Sequence, residues 1–111
     1  MTVTIFHKPT CSTSRNALAL LRAHGVEPVV IDYLKVGWDR ETLERLGKAT
    51  GGGVRGLLRI KEVGAKALLE ADEPTIMAAM IADPVLVERP IVETPKGARI
   101  GRPIERVLEV L

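Results

Sequence analysis

The strongest constraint on the fold lies in residues 2–33, where strand, loop, helix and strand signals follow one another without interruption. Thr2-Val3-Thr4-Ile5-Phe6 alternates like a half-buried strand, and the stretch from about Thr13 to His24 carries Ala17, Leu18 and Leu21 on one helical face. Gly25 suits the stop after that helix. Pro28-Val29-Val30-Ile31-Asp32-Tyr33 has a continuous apolar centre, which predicts a strand buried on both faces. A strand, a helix and a strand over roughly 30 residues form a βαβ unit, and its two strands must be parallel.

The only cysteine, Cys11, falls in the loop between the first strand and the first helix. Thr10, Ser12, Thr13 and Ser14 surround it, with His7 and Arg15 close in sequence. A free thiol titrates near about 8.5, and helix N–H groups with neighbouring cations bring it to roughly 3.5–7.5. A lone cysteine is most often a small buried hydrophobe. Its place in a hydroxyl-rich loop at a helix start favours a nucleophile instead.

Downstream, Asp39 caps a helix carrying Leu43 and Leu46, which ends near Gly51-Gly52-Gly53. That glycine run lacks the Lys-Ser/Thr and preceding strand of a phosphate loop, so it reads as a helix exit. Val54 to Glu70 holds one or two short helical turns. From Glu73 or Pro74 a helix carries Ile76, Met77, Met80 and Ile81, a core stripe that stops before Pro84. Ile91–Thr94 and Ala98–Gly101 flank Pro95-Lys96-Gly97 as a β-hairpin with a three-residue link. A last helix, Ile104 to Leu111, puts Ile104, Val107, Leu108 and Leu111 on one face. Trp38 reads as a packing residue, and Arg55 as either a pocket cation or a solvated one.

The order βαβ, helices, ββα, with a reactive cysteine at the first helix start, looks like the α/β thioredoxin fold. Residues 1–111 then form one domain, with a helical insertion at about 39–84 between the halves. At 111 residues, 46% hydrophobic and 27% charged, the chain is long enough for one core and too apolar to be disordered. A net charge of +2 without clustered cations, and only three aromatic residues, argue against nucleic-acid binding. No apolar run approaches the roughly 20 residues of a membrane span, and no signal peptide is recognised. A single cysteine fits a reducing compartment, so a cytoplasmic location is expected.

His7-x-Pro9-x-Cys11-x-Thr13-Ser14-Arg15-Asn16 resembles the signature around the catalytic cysteine of the glutaredoxin-dependent arsenate reductase family, which shares its fold with the Spx regulators. Val54-Arg55-x-Leu57-Leu58-Arg59, Arg89-Pro90-Ile91-Val92, Thr94-Pro95-x-Gly97 and Gly101-Arg102-Pro103 match its later segments in order. The resemblance implies that Cys11 attacks arsenate, while Arg59, Arg89 and Arg102 form an oxyanion pocket. His7, Ser14 and Arg15 would support the thiolate, and Pro90 would be cis. Ser12 stands where close members usually carry glycine.

The chemistry asks for such residues. A thiolate approaching an anionic substrate at about 4 Å meets roughly 4 kcal/mol of repulsion at an effective dielectric near 20, so more than one cation is needed. Arginine forks grip tetrahedral oxyanions better than lysine does. Reducing As(V) to As(III) takes two electrons, hence a second thiol, and this chain has none to offer. The resemblance points to glutathione as co-substrate and glutaredoxin as partner, with no bound cofactor and no metal. Two other readings share the fold: a glutathione-linked thiol oxidoreductase with another substrate, and an Spx-like regulator binding RNA polymerase. Against the regulator, Ser14 occupies the second position of its usual Cys-x-x-Cys switch. Against the general oxidoreductase, three arginines around the thiol would have little purpose.

Overall fold

The computed structural model describes all residues, Met1–Leu111. Backbone contacts divide them into two units, one made of Met1–Val36 with Arg89–Leu111 and the other of Gly37–Glu88.

The first unit holds the sheet. β1 (Thr4–His7), α1 (Ser12–Ala23) and β2 (Val29–Asp32) form the βαβ half, and a single turn, α2 (Tyr33–Val36), follows. β3 (Ile91–Thr94), β4 (Gly97–Ile100) and a 3-10 helix over Ile104–Val110 form the ββα half. The strand order is β2-β1-β3-β4, with β1 parallel to β2 and antiparallel to β3. Val3 just before β1 and Ile5 within it, Ala17 and Leu21 on α1, Val92, Val107 and Val110 make its core. Deleting any one large member of such a core costs about 2–5 kcal/mol, so this cluster holds the sheet against both helices. This is the thioredoxin-like arrangement expected from the order of elements.

Three local expectations are corrected. β2 is not buried on both faces: Val29 and Val30 are 53% and 42% exposed. The strand pairs only with β1, and an edge strand keeps one side open whatever its apolar content. The hairpin link is Pro95-Lys96 alone, because Gly97 already pairs with Thr94 as the first residue of β4. The last helix is 3-10 rather than α, so a three-residue period turns Val107 and Val110 inward and leaves Leu108 half-buried. Thr94 Oγ1 anchors its end by donating to the Val110 carbonyl at 2.6 Å.

The second unit is helical. It contains α3 (Arg40–Thr50), α4 (Gly53–Gly56), α5 (Ala65–Leu68), α6 (Glu73–Ala82) and a 3-10 turn at Pro84–Leu86. Asp39 caps α3 by accepting from the Thr42 N–H at 2.7 Å, and Asp72 caps α6 through the Thr75 N–H at 2.9 Å. Gly51 ends α3 in the left-handed conformation at φ 92°, so the glycine run is a helix exit. Ile76, Met77 and Met80 are buried, but Ile81 is 43% exposed and leaves the expected stripe. Trp38 is buried and donates from Nε1 to the Pro84 carbonyl at 3.2 Å. The Arg55 guanidinium donates to the Leu69 and Ala71 carbonyls within this unit. No helix of the chain is long and apolar enough to cross a membrane.

Candidate active site

Cys11 is the N-cap of α1, in extended backbone at φ −94°, ψ 120°. Its N–H donates to the Lys8 carbonyl at 2.9 Å, and its own carbonyl accepts from the Arg15 N–H at 3.0 Å. These two bonds turn the loop back on itself and point the side chain at the helix start. The sulfur closes no cap hydrogen bond, yet it lies where orphan helix N–H groups converge. Burial, the largest single influence, pushes the thiol up. The Ser14 N–H, the Arg89 guanidinium and the Thr13 N–H together pull it further down, leaving it below the ordinary cysteine value. The thiol is half-buried, so solvent and a small reactant reach it.

Two arginines from the ββα half meet this sulfur. Arg89 is 5% exposed and contributes both a hydrogen bond and its charge to the thiolate. Arg102 brings Nη2 to 3.8 Å from Cys11 Sγ while its Nε donates to the Arg89 carbonyl at 2.8 Å. One guanidinium therefore grips the sulfur and the backbone that carries the other. The Arg89–Pro90 peptide is cis, and so is Arg102–Pro103.

Gly101 locks the two arginine segments together. Its N–H donates to the Pro90 carbonyl at 2.9 Å. A Cβ there would sit 2.9 Å from Pro90 Cγ, closer than real Cβ atoms approach, and in a tight 3.1 Å contact with Val107 Cγ1. We expect Gly101→Ala to lose about 1–3 kcal/mol of stability by overpacking. Urea denaturation checks the loss, and titration of the thiol should show a raised midpoint as both guanidiniums shift.

His7 and Ser14 support the loop from beneath. Ser14 is fully buried, and its Oγ accepts from the Lys8 N–H at 3.1 Å. Its hydroxyl hydrogen is then available to donate to His7 Nδ1, 2.6 Å away. Burial, first, lowers the His7 pKa below 6.5; Asp32 raises it, and Arg15 and Arg22 lower it. A neutral imidazole with Nδ1 as acceptor fits that direction. Below about pH 6.5 the unfolded chain binds a proton that the folded chain refuses, so this stabilisation is present above 6.5 and lost on acidification. Urea midpoints followed from neutral pH to about pH 5 should fall, and more steeply than in His7→Gln.

Arg15 does not meet the sulfur. Its Nη1 donates to the Pro9 carbonyl at 2.9 Å, so any support it gives the thiolate runs through the loop backbone. Ser12 occupies the first position of α1, exposed to solvent. Arg59 belongs to the helical unit, where Nη1 binds Glu88 at 2.6 Å and Nε faces Glu62 at 3.4 Å. Two carboxylates thus offset its charge within that unit. Glu62, three residues on, was a legible partner; Glu88 gave no local signal, and neither did the role of Gly101. No three His, Cys, Asp or Glu side chains gather in a way that could hold a metal.

The family model described as ArsC matches residues 6–110. An arsenate reductase of Rhizobium meliloti is 44% identical over all of this chain and 82% of its own length. The uncharacterized protein YfgD of Escherichia coli is 46% identical, covering 98% of this chain and 96% of its own. The solved structure of an arsenate reductase from Vibrio cholerae superposes with a TM-score of 0.92 at 44% identity, spanning 100% of this chain and 98% of that one. With the family match spanning almost the whole chain, and fold and sequence in agreement, this protein is a member of the ArsC family.

Proposed function

We propose that the chain reduces arsenate to arsenite through the Cys11 thiolate, with glutathione and glutaredoxin supplying the second thiol. The observation that carries this reading is the convergence of Arg89 and Arg102 on one ionisable sulfur at a helix start. A tetrahedral dianion beside that sulfur would find two forked donors and the Thr13 and Ser14 N–H groups. Arg59 is carried as a third donor on the resemblance, in competition with its own carboxylate partners. Names borne by relatives with 41–44% identity support the substrate.

The reaction balances as follows. The thiolate attacks arsenic, an arsenate oxygen leaves as water after protonation, and a Cys11–S–As(V) adduct forms. A glutathione thiolate attacks Cys11 Sγ; the S–As bond breaks and its electron pair stays on arsenic, which departs as As(III). The resulting Cys11–glutathione disulfide is opened by a glutaredoxin thiolate, which takes the glutathione sulfur and returns Cys11 to thiolate. No bound cofactor takes part. A cytoplasmic, thiol-reducing setting suits these donors.

The test is mass spectrometry of the protein quenched during turnover with arsenate, glutathione and glutaredoxin. A glutathione adduct on the Cys11 peptide that builds up when glutaredoxin is withheld is the expected result. Turnover of arsenate with no adduct at any time would overturn the external-thiol step.

A further inference from the structure

His7 and Asp32 end two neighbouring parallel strands, and the register pairs them directly. Paired residues of adjacent strands share one face, with the strands about 4.8 Å apart. Ile5, two residues before His7, packs with Ala17 and Leu21, so this is the face that α1 covers. The imidazole is buried there and Asp32 is half-buried beside it. One carboxylate oxygen, Oδ1, accepts from the Leu34 N–H at 3.2 Å, which fixes the side chain at the entry to α2. His7 also lines a cavity of about 480 Å³ with Arg15 and Arg22, which gives the ring a route to solvent protons. The charges around the ring are mixed: Arg15 and Arg22 bear on it from α1, and the Asp32 carboxylate opposes them from β2. From β3, the other neighbour of β1, Ile91 and Val92 bring no charge. The loop brings Lys8 and Cys11, with Arg89 and Arg102 on the sulfur.

We propose that Asp32 is a positioning residue for the Cys11 thiolate: in register with His7, its carboxylate balances Arg15 and Arg22 on the imidazole and so sets the direction of the Ser14–His7 hydrogen bond. The assignment rests on the proposed function only in taking Cys11 as the reacting sulfur. The path from ring to sulfur is short. Ser14 Oγ lies 2.6 Å from His7 Nδ1 and accepts from the Lys8 N–H at 3.1 Å. The Lys8 carbonyl in turn accepts from the Cys11 N–H, and the Ser14 N–H acts on the sulfur itself. A neutral ring takes the Ser14 hydroxyl hydrogen on Nδ1. A protonated ring carries its own hydrogen there, so Nδ1 donates to Oγ and the hydroxyl hydrogen has to find another acceptor. Burial, first, lowers the His7 pKa; Asp32 raises it, and Arg15 and Arg22 lower it. Without the carboxylate the ring therefore stays neutral to lower pH, and the reversal beneath the loop is postponed with it.

Asp32→Asn is the variant to measure, because an amide oxygen can still accept from the Leu34 N–H while the charge is gone. Heteronuclear NMR of the imidazole, with the signal identified by its loss in His7→Gln, reads the ring's midpoint. We expect Asp32→Asn to move that midpoint to lower pH, and Asp32→Ser, a second neutral residue able to cap the turn, to move it the same way. The amide signals of Lys8, Cys11 and Ser14 should titrate with His7 in the wild type, follow it to lower pH in Asp32→Asn and lose that step in His7→Gln. Alkylation of Cys11 by iodoacetamide, divided by the thiolate fraction from ultraviolet absorbance, should carry the same step. A His7 midpoint unchanged or raised in both neutral variants would overturn the assignment. So would loop amides and alkylation rates that take no part in a His7 midpoint that has moved, since Asp32 would then act on the histidine alone. None of these measurements uses arsenate, so a wild-type protein that never turns it over would count against the proposed function and leave this comparison standing.

Discussion

Cys11→Ser is expected to bring arsenate-dependent NADPH oxidation, coupled through glutathione, glutaredoxin and glutathione reductase, down to the rate without protein. The loss should be on the order of a thousandfold or more, as when a nucleophile is removed from a group that acts as a unit. The reason is twofold. A serine hydroxyl stays protonated where the thiol does not, so the first bond to arsenic does not form. Nor can oxygen share in a disulfide, so the pair of electrons that reduces arsenic has no source. Because Cys11 is the only cysteine, no other residue of the chain substitutes for it. The serine side chain is close in size and the residue is half-buried, so the folded population should not change. Circular dichroism of the variant separates loss of chemistry from loss of fold.

Arg89→Ala carries the second largest effect. The guanidinium is 5% exposed and acts on Cys11 both as hydrogen-bond donor and as charge. Removing it takes away a cause of the depressed thiol and, at once, a fork for the oxyanion. Donors of this kind are worth about 2.7–4 kcal/mol of transition-state stabilisation, which is about 10²–10³ in rate. We expect kcat/KM for arsenate to fall by that factor, with the thiol midpoint moved upward. Arg89→Lys should recover part of the thiol shift, since a point charge remains, and little of the arsenate binding, since the planar fork does not. An alanine variant with an unchanged thiol midpoint would remove Arg89 from the site.

Much of this architecture is written in local sequence. The alternation before His7, the hydroxyl cluster around Cys11 and the helical stripe after it specify strand, loop and helix with no help from distant residues. The caps at Asp39 and Gly51 are equally local, since each satisfies orphan groups of its own helix. What escaped local reading depends on neighbours far along the chain. Val29-Val30-Ile31 is as apolar as a central strand, and only the sheet order puts it at an edge. The 3-10 winding of Ile104–Val110 is tied to Thr94, 16 residues before the carbonyl it anchors. At the site, Cys11 and the arginines are recognisable as residue types, and the fold brings Arg89 and Arg102 to the sulfur. That Arg15 serves Pro9, and that Glu88 holds Arg59 across 29 residues, is decided by tertiary geometry.

The most direct test of the central claim is an ultraviolet titration of the Cys11 thiolate in the wild-type protein and in Arg102→Ala. With Arg89, Arg102 and the α1 N–H groups acting on the sulfur, the wild-type midpoint should lie below the ordinary cysteine value of about 8.5, and the variant midpoint should rise toward it. A wild-type thiol titrating at or above that value, with no displacement on losing Arg102, would contradict the account.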